Sequence, residues 1–489
     1  MANYFGIDFG TTNSAVAAIV DVNGDRIGNV KRMGESEEYP LPSFVAIHKT
    51  TGEIKTGRDA KRSISQIEEY HVFSSIKTII DSEQEWEIAG KLWTPVDIAA
   101  ELFKALKNNV SEKTDGIMEL DRAVVAVPVG FSPQKKNNVR RAAKQAGISV
   151  TMFVNEPTAA YYSRIDELRK YKNIAVFDWG GGTLDIAVIR VENNIVSELN
   201  IAGMAIAGND IDKAIAEKIC GKIARKKDIN FSYYDLNPEY RQLLLSACED
   251  AKCDLADEDI ATVSLSKLDS EGKFGRVYEK IDYDYFSLLI ENEIDKAVDC
   301  LLTAISEAGL NRESIDCIIC EGGSSRLRPL QAKLMEFFER EKLLFPRKAM
   351  WDIGIGAAEI SHRPGCYMLN KPIGIIQSNN TFYPLLKVGQ RVPTEEKTVK
   401  FGVIEMTHEA RFVLSDGEFR EYFPVKLRGF DDEVLEVSCY IDADMVFRMK
   451  VRTNRMPEGV FRVWTYSKLQ LSYEIDPPKS QEKIQEGKS

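Results

Sequence analysis

Hydrophobic and polar positions follow two different patterns along this 489-residue chain, and the change falls near residue 364. Before that point, short apolar runs alternate with longer stretches in which apolar residues recur every three or four positions, as in strands followed by helices. After it, apolar and polar residues alternate, which is the period of a strand with one face in water. The pattern predicts an α/β part followed by an antiparallel β-sandwich.

Local signals sharpen the prediction for individual elements. After a predicted strand at Ala123–Val127, Ser132 has the position of an N-cap, Pro133 that of the first helical residue, and Gly147 follows the helix end. Another helix should begin near Pro157. Two further helices should bury one face each, formed by Ile211, Ile215, Ile219 and Ile223, and by Leu244, Cys248, Ala251 and Leu255.

The β-rich part shows the alternation most clearly near its end. Leu469, Leu471, Tyr473 and Ile475 should face a core, whereas Gln470, Ser472 and Glu474 should face water. The last stretch, residues 477–489, is polar and contains two prolines, so we expect it to be disordered.

Two glycine–threonine loops recur in the α/β part, and each follows a short apolar run. They are Asp8-Phe9-Gly10-Thr11-Thr12 and Asp178-Trp179-Gly180-Gly181-Gly182-Thr183. Glycine lets backbone N–H groups approach an anion, threonine adds donors, and aspartate can hold a divalent cation. A single loop of this kind is weak evidence because it is often a plain turn. The pair predicts a duplicated nucleotide-binding fold with a triphosphate between two hairpins.

Composition narrows the classes of function. The net charge of -11, without a basic face, argues against a nucleic-acid partner. No apolar run is long enough for a membrane span, so we expect a cytoplasmic protein without a membrane partner. Cys317 and Cys320 have redox or metal spacing, but they lie in the predicted strand Ile315–Cys320, which favours two core thiols.

Several motifs resemble the seventy-kilodalton heat-shock chaperones, the DnaK-type family. The resemblance rests on residues 6–14, on Asn155-Glu156-Pro157-Thr158-Ala159-Ala160, on the loop from Asp178 to Thr183 with Asp185, and on Gly322-Gly323-Ser324-Ser325-Arg326. It implies duplicated ribonuclease-H-like (actin-type) ATPase lobes at residues 1–363, a connector at 364–370 and a substrate-binding-like β-sandwich at 371–476.

The resemblance also assigns roles within an ATP site. Lys77 would lie beside the attacking water, and Asp185 would accept a hydrogen bond there. Asp8, Asp178 and Glu156 would hold Mg²⁺, mostly through water. The residues expected to contact ATP or ADP are Gly10, Thr11, Thr12, Asn13, Gly180, Gly181, Gly182, Thr183, Gly208, Glu249, Lys252, Gly322, Gly323, Ser324 and Arg326.

The predicted adenosine pocket departs from the family pattern. Glu249 and Lys252 match residues that contact ribose, but Cys253 replaces an arginine that stacks on adenine, and Ala256 replaces a serine. Losing a stacking guanidinium weakens binding by about 0.5–2 kcal/mol. We therefore expect adenine recognition that is weaker than the family norm, with Arg326 covering the base from the other side.

The family resemblance further implies unfolded polypeptide or one dedicated protein as partner, with a J-domain cochaperone and a nucleotide exchange factor. Family members continue into a helical lid, so a sandwich ending with this sequence should exchange peptides quickly and bind them weakly. The connector lacks the family's acidic, leucine-rich signature, and the sequence leaves open whether it is a spacer or a docking element. A nucleotide-sensing adaptor and a small-molecule kinase of the same superfamily remain alternative readings.

Overall fold

The structure is a computed structural model, and contacts divide its chain into two units. The first comprises residues 1–163, 174–188 and 200–363, and the second comprises residues 164–173, 189–199 and 364–489. The residues that the structure describes are 2–22, 25–26, 30–363, 367–403, 408–417, 420–429, 432–455 and 462–474. Residues 364–366 of the predicted connector, Ile475 and the predicted disordered tail at 477–489 lie outside them.

In chain order, the elements of residues 2–168 are β1 (Ala2–Phe9), β2 (Asn13–Val22), β3 (Asp25–Arg26), β4 (Lys31–Met33), β5 (Leu41–Pro42), β6 (Val45–His48), β7 (Ile54–Thr56), α1 (Gly57–Arg62), β8 (Tyr70–Phe73), β9 (Trp86–Ile88), β10 (Lys91–Trp93), α2 (Pro95–Lys113), β11 (Arg122–Val127), α3 (Pro133–Gln145), β12 (Ser149–Asn155), α4 (Glu156–Ser163) and α5 (Ile165–Leu168). Residues 173–362 form β13 (Asn173–Trp179), β14 (Leu184–Glu192), β15 (Ile195–Met204), α6 (Gly208–Lys227), α7 (Pro238–Asp254), β16 (Ile260–Leu265), β17 (Val277–Asp282), α8 (Tyr283–Leu289), α9 (Glu291–Glu307), β18 (Cys317–Glu321), α10 (Arg328–Phe337), β19 (Leu343–Leu344) and α11 (Ala349–His362).

The remaining elements are strands: β20 (Tyr367–Leu369), β21 (Ile373–Ile376), β22 (Phe382–Leu386), β23 (Lys397–Gly402), β24 (Glu409–Ser415), β25 (Arg420–Lys426), β26 (Val434–Ile441), β27 (Phe447–Thr453), β28 (Arg462–Tyr466) and β29 (Leu471–Glu474). The chain is thus a mixed α/β protein with a strand-only end.

Two of the sheets in the first unit have matching central strands. In one, β1 pairs antiparallel with β2 and parallel with β11, which pairs parallel with β12. In the other, β13 runs parallel to β18 and lies beside the first residues of β14. Each sheet therefore carries one sharp strand-to-strand turn beside parallel neighbours. This match favours the predicted duplication, and the ribonuclease-H-like assignment itself stays a prediction.

The local signals in the sequence specify helix α3 well. Ser132 Oγ accepts a hydrogen bond from the Lys135 N–H at 3.1 Å, and Pro133 is the first helical residue. Gly147 follows the helix with φ of 72°. The predicted start near Pro157 corresponds to α4, whose second residue is that proline.

The predicted apolar stripes are confirmed in the core of the first unit. Ile211, Ile215 and Ile219 of α6 are buried and Ile223 is partly buried; Leu244, Cys248 and Ala251 of α7, with Leu255, are buried as well. Cys317 and Cys320 lie in the fully buried strand β18 and form no disulfide. They are core thiols, as the strand context indicated.

The β-rich part of the second unit contains two antiparallel four-stranded sheets. Their orders are β22–β21–β24–β25 and β23–β26–β27–β28. Strand β27 alternates between buried and partly exposed residues along its length, as its sequence predicts. Residues 164–173 and 189–199 also belong to this unit, a membership that the sequence did not indicate.

One prediction for the last strand is wrong. Gln470 and Ser472 were expected to face water, but they are only 9% and 7% exposed. Ser472 Oγ lies 3.1 Å from Ser197 Oγ, because β29 pairs with residues Ile195–Ser197 on one side and with β20 on the other. Strand pairing on both edges buries polar positions that a pattern of period two assigns to solvent.

Candidate functional site

The turn between β1 and β2 and the turn between β13 and β14 lie against each other in the first unit. We call residues 8–13 the first loop and residues 178–183 the second loop. A Cβ atom added to Gly181 would lie 2.2 Å from Thr12 Oγ1, and one added to Gly182 would lie 2.7 Å from Thr11 Oγ1. Only glycine allows this approach, so the two loops face each other as the sequence led us to expect.

Backbone contacts fix the shape of the first loop. A Cβ atom on Gly10 would lie 2.0 Å from the Asn13 carbonyl oxygen, which requires glycine at the turn. Ser43 donates its N–H to the Thr12 carbonyl at 2.8 Å and its Oγ–H to the Gly10 carbonyl at 2.9 Å. Sequence reasoning missed Ser43, since no motif marks a serine that acts from the distant segment between β5 and β6.

The third glycine turn, residues 321–326, packs on the second loop. Gly322 has φ of 79°, and a Cβ atom there would lie 2.7 Å from Asp178 Oδ1. Ser324 Oγ donates a hydrogen bond to the Gly180 carbonyl at 2.9 Å. The Gly208 N–H donates to that same carbonyl at 3.1 Å. These contacts bring Gly208, Gly322, Gly323 and Ser324 beside the second loop.

A cluster of carboxyl groups lies beneath the loops around a single lysine. Lys77 forms a buried ion pair with Glu156, and Asp178 and Asp185 are buried nearby. Asp185 Oδ1 also accepts a hydrogen bond from the Val129 N–H at 2.6 Å. The structure therefore gathers all five residues that the sequence assigned to catalysis, with Asp8 as the fifth.

Burial and the charges of neighbouring groups shift the pKa values within this cluster. Loss of hydration raises the pKa of Asp8 and of Asp185 to about 7, and repulsion by Glu156 adds to the effect on both. The pKa of Asp178 is raised for the same reasons. Burial lowers the pKa of Lys77, but attraction to Glu156 and Asp8 outweighs it, and the net shift is upward. Lys77 thus stays protonated beside Asp8 and Asp185, whose pKa values are both about 7.

The arrangement of these groups bears on cation binding. In the part of the chain that the structure describes, no group of three or more His, Cys, Asp and Glu side chains is arranged to hold a metal ion. The water-mediated Mg²⁺ site that the sequence predicts at Asp8, Asp178 and Glu156 stays a prediction.

The residues assigned to the ribose have protein partners. Lys252 Nζ lies 2.8 Å from Asp212 Oδ2 and 3.0 Å from the Gly208 carbonyl oxygen, and both side chains are buried. Burial raises the pKa of Asp212 to about 6 although Lys252 opposes the shift. Glu249 forms an ion pair with Lys61 at 3.1 Å. Sequence reasoning missed Asp212, because its partner lies 40 positions away.

The base-side residues are at the surface. Cys253 is exposed, and Arg326 forms an exposed ion pair with Asp257 at 3.2 Å. Their contacts with adenine stay predictions, as do the ribose contacts of Glu249 and Lys252. The exposure of Cys253 is compatible with a position that faces a ligand.

Two cavities flank the loops. The small cavity, of about 110 Å³, is lined by residues of the first loop, of α6 and of α7, including Thr12, Asn209, Asp212, Ser246 and Glu249. The large cavity, of about 400 Å³, is lined by Lys77, Thr183 and Asp185 among others. Thr11 lines both, so the first loop separates the space on the α7 side from the space beside the lysine.

Comparison with known proteins identifies the family. The sequence model for the Hsp70 protein family matches residues 70–345. The chain is 31% identical over 340 residues to the chaperone protein DnaK of Ureaplasma urealyticum serovar 10, and equally to that of Ureaplasma parvum serovar 3. The matched region is 69% of this chain and 54% of each relative, so the chain spans about half the length of the curated relatives it matches. The chain belongs to the Hsp70 family.

Both of these relatives are named chaperone proteins. None of the helices in the described residues combines the length and apolar character needed to cross a membrane.

Proposed function

We propose that this chain binds ATP with Mg²⁺ in the first unit, hydrolyses it to ADP and phosphate, and uses the β-rich part to bind unfolded polypeptide or one dedicated protein. The observation that carries the proposal is the pair of facing loops beside a cluster formed by buried Lys77, Glu156, Asp178 and Asp185 and by partly exposed Asp8. Donors and carboxylates are held there before any ligand binds, which is what stabilisation of a phosphoryl-transfer transition state requires.

The proposed role of each residue in ATP binding and hydrolysis follows from its side-chain chemistry. Thr11, Thr12 and Thr183, with the loop N–H groups, would hold the β- and γ-phosphates. A water oxygen would bond to the γ-phosphorus as the bond to the bridging oxygen breaks, and that electron pair stays on ADP. Lys77 would stabilise the charge that develops, and Asp185 would accept a hydrogen bond from the water, whose proton finally passes to solvent.

The carboxyl cluster fits a divalent cation. Several carboxyl groups share one lysine, and loss of hydration together with mutual repulsion raises the pKa of Asp8, Asp178 and Asp185. A cation held through water by Asp8, Asp178 and Glu156 would relieve this repulsion. When bound, Mg²⁺ would neutralise phosphate charge.

Turnover of radiolabelled ATP by the whole chain tests the proposal. Hydrolysis that requires Mg²⁺ and rises with unfolded peptide or a J-domain protein is the expected result. Tight nucleotide binding without turnover would favour the nucleotide-sensing adaptor, and transfer of the label to a small hydroxyl compound would favour a kinase. Either result would contradict the proposal.

Coupling to the protein partner needs a second measurement. If ATP and ADP change the affinity for peptide, peptide must change nucleotide affinity by the same factor. Fluorescence anisotropy of a labelled apolar peptide in each nucleotide state measures the first factor, and calorimetric titration of ADP with and without peptide measures the second. Peptide binding that ignores the nucleotide would refute the coupling and leave the ATPase proposal standing.

A further inference from the structure

The large cavity connects the catalytic cluster with the protein surface. Its lining includes buried Lys77 and Asp185 as well as exposed Gly130, Gly203 and Ala205. Its volume of about 400 Å³ is many times the roughly 30 Å³ of one water molecule in the liquid. A hydrated phosphate ion therefore fits into it, and the small residues at the surface leave an opening.

The opposite side of the loops offers less space. The small cavity holds about 110 Å³, and hydrogen bonds cross its lining from Gln242 Nε2 to Ser74 Oγ at 3.2 Å and from Asn209 Nδ2 to Ser75 Oγ at 3.3 Å. The family resemblance assigns Glu249, which lines this cavity, to the ribose, so ADP would still fill this side after the γ-phosphate is cleaved. Of the two cavities that flank the loops, the large one then has room for a free phosphate.

Two lysines and two aspartates line the large cavity, namely Lys77, Lys135, Asp81 and Asp185, so attraction to an anion rests on the lysines. Lys77 lies at its buried part, and the partly exposed Lys135 lines it on α3. The Lys135 ammonium lies 3.3 Å from the Thr78 carbonyl oxygen and 3.8 Å from Asp81 Oδ1, contacts that are long enough to leave it attractive to an anion. Lys144, on the same helix, does not line either cavity and serves as a matched control.

We propose that the large cavity is the exit route of the inorganic phosphate, and that Lys135 attracts the ion as it leaves. The proposal rests on ATP hydrolysis at the loops. It assigns no bond-breaking step to Lys135, which acts after the reaction by charge alone. Because the large cavity lies on the side of the loops where Lys77 is located, phosphate could leave through it while ADP stays bound.

Two pairs of variants test the route. Ala205→Phe narrows the exposed opening, and Ser111→Phe places the same ring on the exposed face of α2, where it lines neither cavity. Lys135→Glu reverses the charge in the cavity, and Lys144→Glu reverses it elsewhere on α3. Because the altered positions are exposed or partly exposed, thermal melts should confirm that all four variants fold.

The experiment follows one turnover of bound ATP by two signals. Acid quench reports product formation, and a fluorescent phosphate-binding protein reports free phosphate. We expect product formation within about twofold of wild type in all four variants, whereas free phosphate should lag behind product at least tenfold longer in Ala205→Phe and severalfold longer in Lys135→Glu.

The two signals separate the two proposals. No product in the wild-type protein would remove the ATPase proposal and the route with it. Product with free phosphate keeping pace in both Ala205→Phe and Lys135→Glu would overturn the route alone. Equal delays in the control variants would overturn it as well, because the effect would not depend on the cavity.

Discussion

Replacing Lys77 by methionine should remove most ATP turnover while leaving nucleotide affinity nearly unchanged. Methionine keeps much of the side-chain volume and removes only the charge. Taking away one preorganised group that stabilises a transition state costs about 10²–10³ in rate, or about 2.7–4 kcal/mol. Nucleotide binding depends mainly on the loop donors, so we expect the loss in the rate of a single turnover.

The structure also predicts a cost in stability. Lys77 and Glu156 form a buried pair with side chains only 5% and 6% exposed, and breaking such a pair leaves a buried charge alone, at about 3–5 kcal/mol. The double variant Lys77→Met/Glu156→Gln should recover much of that stability without recovering activity. Lys104→Met, which breaks an exposed pair with Glu101, is the control that should change neither the stability nor the activity.

The dependence of the turnover rate on pH provides a second test of the Lys77→Met substitution. The pKa of Asp8 and of Asp185 is about 7, and Lys77 lowers both values. If their ionised forms are required, the wild-type rate should rise with pH around neutrality. Without Lys77 the two groups keep their protons to higher pH, so the rise should move upward.

Both expectations can be tested by quenched-flow measurement of one turnover between pH 6 and pH 9. The protein concentration should lie well above the dissociation constant for ATP. A Lys77→Met protein that is folded, binds ATP and hydrolyses it within threefold of wild type would show that Lys77 is no part of the reaction. An unchanged pH profile with a large loss of rate would refute the electrostatic argument, although not the role of the lysine.

Three further predictions concern the surrounding groups. Cys253→Arg should tighten ATP binding by a few-fold to about thirtyfold, because a guanidinium can stack on adenine, and calorimetric titration would detect it. Between about pH 4 and pH 6 the folded chain holds a proton on Asp212 that the unfolded chain releases. This group should therefore lower the free energy of unfolding by about 3 kcal/mol as pH rises through that range. Urea unfolding of Asp212→Asn should lack this pH-dependent contribution. Gly181→Ala places a methyl group 2.2 Å from Thr12 Oγ1 and should weaken ATP binding at least tenfold, whereas Gly221→Ala meets nothing within 4 Å and should not.

The sequence was informative wherever one short segment carries the whole signal. Ser132, Pro133 and Gly147 delimit α3 by their own backbone and capping preferences, so the helix could be located without tertiary information. Gly10 is equally local, since its own turn requires it, whereas Gly181 and Gly182 are required by the facing first loop. The facing positions of the two loops could be expected only because the motif occurs twice.

Long-range partners could not be predicted in this way. Ser43 holds Gly10 across 33 positions, and the burial of Ser472 depends on Ser197, 275 positions away. The alternation in the last strand reports which side chains are apolar, and it carries no information about a strand on either edge. The cavity beside Lys77 is likewise a property of the assembled elements.

Lys252 shows how the two ends of the site are connected. Its ammonium group donates to the Gly208 carbonyl, and the N–H groups of Gly208 and Asn209 donate to the carbonyls of Gly180 and Gly181 in the second loop. A residue that the family resemblance assigns to the ribose is therefore also part of the support of a phosphate loop. Any movement of Lys252 toward a nucleotide would strain that loop, because the hydrogen bonds share one short segment. The base end of the site and its phosphate end are thus not independent.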